Sequence, residues 1–139
     1  MQQLTRLISL IIAIFFYTTG FAASNTDPTG LWKTPQSILK VFSVNGEWRA
    51  EVVKVLNSAN PNPLCTNCSG KRKNQPLIGM TVVWGLKAGN NEWEGGKVLE
   101  PQTGAIYDCT LQLSADGQQA HFYASKTIYG RMMTWTRVE

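Results

Sequence analysis

From residue 30 to residue 138 the apolar residues recur at every second position, in runs cut by Asn45-Gly46, Gly89-Asn90-Asn91, Pro101-Gln102-Thr103-Gly104 and Asp116-Gly117. A period of two sends alternate side chains to opposite faces of an extended strand. Gly and Asn at the interruptions tolerate the positive φ that tight turns demand. No segment sustains the 3.6-residue apolar period of a helix. The pattern predicts eight strands, near residues 30–34, 38–44, 47–56, 77–87, 91–99, 105–113, 118–126 and 130–138.

The alternation also says which face is inside. In the fourth strand Ile78, Met80, Val82, Trp84 and Leu86 share one face, with Gly79, Thr81 and Gly85 on the other. In the sixth, Tyr107, Cys109, Leu111 and Leu113 oppose Asp108, Thr110 and Gln112. Each apolar face has to be buried against the others. With short hairpins and strands in chain order, the simplest solution is an all-β, antiparallel, up-and-down eight-stranded barrel, which leaves no exposed sheet edge. One connection breaks the rhythm. Residues 57–76 hold Asn60-Pro61-Asn62-Pro63, two cysteines and Lys71-Arg72-Lys73 without a strand or helix signal. Loops of that length are commonly lids or binding loops, so this one is the first place to look for function.

Ahead of the alternating region, Leu7 to Tyr17 is apolar except for Ser9, follows a single charge at Arg6, and leads into Thr18-Thr19-Gly20-Phe21-Ala22-Ala23. The run is too short to cross a hydrocarbon core of about 30 Å as a permanent helix. Small residues at Gly20 and Ala22 suit signal peptidase, so residues 1–22 are expected to be a signal peptide cleaved after Ala22, with an uncleaved anchor as the alternative. That leaves residues 23–139 as a single domain, periplasmic or secreted and not membrane-spanning. The formal net charge of +4 becomes +3 on losing Arg6, a mild balance that gives no ground for nucleic-acid binding.

Cys65 and Cys68 have a spacing compatible with a small-loop disulfide, a redox dithiol or half a zinc site. Zinc would need two more ligands, and only Cys109 and His121 are on offer, the former on an apolar strand face. A redox pair would be expected to open a helix, where the dipole lowers a thiol pKa; this pair sits among Pro, Asn and Ser. In an oxidising compartment a structural disulfide is the expectation, with Cys109 left as a buried thiol, pairing of Cys109 with the loop as the alternative, and no metal site. No hydrolase or metalloprotease motif accompanies His121, and Glu92, Glu94, Glu100, Asp108 and Asp116 are scattered over turns and strand faces. The sequence therefore offers no catalytic residue set and implies no cofactor, and the chain is read as a non-enzyme.

Gly30-Leu31-Trp32 and Trp135-Thr136-Arg137, at the two ends of the alternating region, are similar to features of lipocalin and calycin barrels. There a strand-one Trp packs beneath an Arg of the last strand and closes one end of the barrel. The resemblance assigns barrel closure to Gly30, Trp32, Trp135 and Arg137. A longer resemblance, to an uncharacterised bacterial family known as domain of unknown function 2147, rests on several blocks in order. They are Gly30-Leu31-Trp32-Lys33-Thr34, Cys65-Thr66-Asn67-Cys68-Ser69-Gly70, Pro76-Leu77-Ile78-Gly79-Met80, Trp93-Glu94-Gly95-Gly96-Lys97-Val98-Leu99-Glu100-Pro101, Gly104 with Tyr107 and Cys109, and Gly130-Arg131 with Trp135-Thr136-Arg137. Glu100 stands where that family tends to have Asp, and Phe122-Tyr123-Ala124-Ser125 replaces a segment that tends to carry Arg-Gly. The resemblance implies a lipocalin-like barrel with an interior cavity and no established activity.

The expected function is binding of a small hydrophobic ligand inside the barrel. Trp84 and Tyr107 are the leading candidates to line the site, with Trp93 beside them and Arg131 to orient the ligand. The alternative is an envelope-associated interaction module with a filled core, whose cysteine loop and basic run meet another envelope protein or anionic headgroups.

Overall fold

Tight turns form where the sequence places residues that accept a left-handed backbone: Asn45 and Gly46 take φ of 50° and 76°. Two successive positive-φ residues match the right-handed twist of the strands they join. In the computed structural model, which describes residues 27–138, eight strands follow one another in chain order, most of them joined by short turns. The expected signal segment and its cleavage after Ala22 lie outside the described residues. The strands are β1 (Gly30–Lys33), β2 (Ser37–Val44), β3 (Glu47–Val55), β4 (Thr81–Ala88), β5 (Glu92–Glu100), β6 (Ala105–Leu113), β7 (Gln119–Lys126) and β8 (Tyr129–Arg137). Every neighbour is antiparallel and β1 pairs with β8, so the sheet closes into the expected up-and-down barrel. Apolar side chains point inward, while Lys40 is paired with Glu51, and Lys97 with Asp108, on the outer surface.

The fourth strand departs from its expected form in two ways. It begins at Thr81, because Leu77 to Met80 belong to the preceding loop: Leu77 N–H donates to the Pro63 carbonyl and Met80 N–H to that of Leu77. Its alternation also reverses part-way. Gly85 adopts φ of 77° and the register against β3 shifts there, so the extra residue of a bulge lies between Trp84 and Leu86. Trp84, opposite Lys97, faces outward, whereas Val83 and Leu86 are buried inside.

The two ends of the barrel differ. One end, where β1 starts and β8 finishes, is filled by aromatic rings. Trp32 is fully buried and its indole N–H donates to the Pro28 carbonyl at 2.8 Å. The Arg137 guanidinium lies 4.3 Å from the centre of that ring. It also donates to the carbonyls of Gly117, Thr29 and Asp27, each at 2.8 Å. Trp48 packs edge-on against Trp93 with centroids 6.0 Å apart. Just above, Gly96 lets Leu86 and Cys109 meet: a Cβ there would fall 2.6 Å from Leu86 Cδ2 and 3.0 Å from Cys109 Sγ.

At the opposite end the long connection is ordered by its own bonds. Leu64 and Pro76 form an isolated bridge, Gly70–Arg72 is a 3₁₀ turn, and Cys65 N–H and Asn74 N–H donate to the carbonyls of Gln75 and Cys65 respectively. Cys65 and Cys68 are joined in the expected disulfide, with Cα atoms 5.3 Å apart and both residues buried. The loop lies against the β5–β6 turn: Asn67 Nδ2 donates to the Gln102 carbonyl, and a Cβ on Gly104 (φ 74°) would strike the Asn67 carbonyl oxygen at 1.9 Å. Arg72 stacks on the outward-facing Trp84 at 4.5 Å, and Lys73 Nζ donates to the Thr66 carbonyl. Two members of the basic run thus brace the loop.

Candidate ligand-binding site

Above the aromatic plug the barrel is not filled. A cavity of about 880 Å³ opens at the end bearing the β1–β2, β3–β4, β5–β6 and β7–β8 connections. Its floor is Trp135 stacked on Phe122, with centroids 4.4 Å apart and planes inclined by 19°. Leu39, Val52, Val83 and Met133 are among its walls. They come from β2, β3, β4 and β8, whose inward alternation puts one apolar side chain at each level.

Among the described residues only two charged side chains line the cavity, Glu100 and Arg131, both near the opening and accompanied by the phenol of Tyr107. The hydrogen bond to Glu100, and then that carboxylate's negative charge, raise the Tyr107 pKa; Arg131 acts in the opposite direction. The lining therefore combines an apolar interior with a small polar rim, a common composition for sites that hold a mostly apolar molecule by one end.

Of the four expected lining residues the structure brings two together, Tyr107 and Arg131. Trp84 lies outside the barrel beneath Arg72, because the Gly85 bulge reverses the face it would otherwise present. Trp93 belongs to the closed end with Trp48, below the cavity. Trp135, expected at the closure, instead forms the cavity floor, leaving closure to Trp32 and Arg137 with Gly30 at the entry to β1. Phe122, Ala124 and Met133 were missed as lining residues. Their signal was present: Arg131, Met133 and Trp135 share a parity, as do Phe122 and Ala124, and β7 pairs Phe122 with Met133.

Residues 30–137 match the sequence model of a family described as an uncharacterized protein conserved in bacteria, DUF2147. The chain belongs to this family. A search of curated proteins finds no match. Among solved structures, this DUF2147 barrel is similar to protein HP1028 from the human pathogen Helicobacter pylori, described as belonging to the lipocalin family. The TM-score is 0.74 at 19% identity, over 81% of this chain and 84% of that one. That likeness establishes a lipocalin-like fold for the DUF2147 chain, and at this identity it speaks of fold alone.

The remaining chemistry-bearing groups of the DUF2147 barrel stand apart from the cavity rim. Cys109 is buried in the wall, and desolvation, with a smaller effect from Asp108, pushes its thiol up to about 12. His121 pairs across strands with Gln112 and Thr134. Among the described residues no three His, Cys, Asp or Glu side chains gather as a metal site, and no helix is long and apolar enough to cross a membrane.

Proposed function

We propose that this protein carries a small, largely apolar molecule in its barrel and does no chemistry on it. The observation that carries this reading is the cavity of about 880 Å³ itself. It falls within the range of roughly 300–1,000 Å³ usual for small-molecule sites. Transfer of an apolar ligand onto Phe122 and Trp135 removes its surface from water, the main source of affinity. Glu100, Tyr107 and Arg131 at the opening then orient whatever polar group the ligand bears. The unfilled upper half of the barrel favours this reading over the interaction module with a filled core. The apolar run from Leu7 to Tyr17, followed by Gly20 and Ala22, supports a setting in the periplasm or outside the cell.

The test is native mass spectrometry of the protein isolated from the cells that produce it. A reproducible excess over the chain mass, lost on denaturation, is the expected result. A bare mass, together with no uptake of an apolar dye such as Nile red, would sink the carrier reading.

A further inference from the structure

The charges of the barrel are segregated along its axis. At the open end, counting the strand ends and the loops that join them, lie Lys33, Lys54, the run Lys71-Arg72-Lys73, Lys126 and Arg131, against Glu100 and Asp108, the latter already paired with Lys97. The closed end has the opposite bias, with Asp27, Glu47, Glu92, Glu94 and Asp116 against Arg49, Lys87 and Arg137. A mild net charge therefore conceals a strongly basic face around the cavity mouth.

The same face carries exposed apolar side chains where a hairpin is ordinarily polar. The β7–β8 turn is Thr127-Ile128, and Ile128 and Tyr129 are 89% and 77% exposed, with Met132 further along β8 at 65%. Leu64, on the long loop, adds another at 49%. Thr127 holds φ of 56°, a conformation unfavourable for a β-branched residue. At the closed end the corresponding turn between β2 and β3 is Asn45-Gly46, which is polar and suited to its backbone. Apolar tips inside a ring of cations match an anionic membrane surface, where the tips enter the interfacial layer and the cations lie among phosphates.

We infer that the open end docks on membranes rich in anionic lipid, with Ile128 and Tyr129 inserted and Lys71 and Lys126 contacting headgroups. The cavity mouth then faces the lipid. This inference stands independently of whether the barrel carries a ligand.

The experiment is co-sedimentation of the protein, as isolated from the producing cells, with vesicles of phosphatidylethanolamine and phosphatidylglycerol and with vesicles of phosphatidylcholine alone. Binding to the anionic vesicles only, weakened by added salt, is expected. The double variant Ile128→Ser, Tyr129→Ser should weaken it roughly tenfold, and Lys126→Gln about fivefold. Lys40→Gln, on the outer surface away from the opening, should leave it unchanged. Far-ultraviolet circular dichroism checks that the variants are folded. Failure to bind either vesicle would overturn the inference. So would salt-sensitive binding that the hairpin double variant retains in full, since a purely electrostatic face fits an acidic protein equally well.

Discussion

The Arg137 guanidinium covers the Trp32 indole at 4.3 Å while donating to three carbonyls from two separate segments, Asp27 and Thr29 before β1 and Gly117 in the β6–β7 turn. A planar, five-donor cation can do both at once, and an ammonium cannot. Arg137→Ala is expected to lower unfolding free energy by about 2–3 kcal/mol. Arg137→Lys should recover less than half of that loss. Urea denaturation followed by tryptophan fluorescence measures both, and a Lys variant as stable as the parent would refute the role given to the fork.

Gly104 is the contact through which the disulfide loop meets the barrel. Its φ of 74° and the closeness of the Asn67 carbonyl leave no room for a methyl group. Gly104→Ala should destabilise the protein by about 1–3 kcal/mol and loosen the loop before the barrel. Limited proteolysis should then cut between residues 57 and 76 under conditions in which the parent chain resists.

The Cys109 thiol gives stability a defined alkaline dependence. Its folded pKa is raised from 9.0 to about 12, mainly by desolvation. Between those values the unfolded thiol has lost its proton and the folded one keeps it, so the unfolded state binds fewer protons and stability falls as pH rises. Below pH 9 the two states hold the same proton and this contribution is flat. Cys109→Ala should remove that part of the slope, seen as the difference between the two proteins' denaturation midpoints across the alkaline range.

Ala124 lines the cavity on the inward face of β7. Ala124→Phe should occupy the space that a ligand would take, with a stability change within about 1–3 kcal/mol because the cavity can accept the ring. Loss of Nile red uptake with the denaturation midpoint largely kept would support the site, whereas unaltered uptake would place the dye elsewhere.

Strand number, order and closure were legible because the alternation and the turn residues point the same way throughout. The error at Trp84 has a single physical origin. A bulge centred on Gly85 costs the pattern one residue, and periodicity alone reads straight through it. Glycines inside a strand are the available sign of such a shift, and Gly85 was one. The order in the long loop was illegible for another reason. It depends on contacts between distant segments, such as Asn67 with Gln102, that no local window contains. The cavity was implied by the resemblance to lipocalin barrels and not by the pattern, since alternation reports which side chains point inward and says nothing of whether they meet.

Seven of the eight strand pairings join neighbours along the chain, and only β1 with β8 joins its two ends. That seam has just two paired positions, Trp32 opposite Arg137 and Lys33 opposite Thr136. Hairpins can zip one after another from local contacts, but the seam must bring together segments a whole domain apart, at an entropic cost that rises with the logarithm of that distance. Closure is therefore expected to come last in folding and its reversal first in opening. The amide protons of β1 will exchange with solvent through a partial opening well before those of β5 and β6, so the barrel has a built-in unlatching strand beneath its arginine clasp.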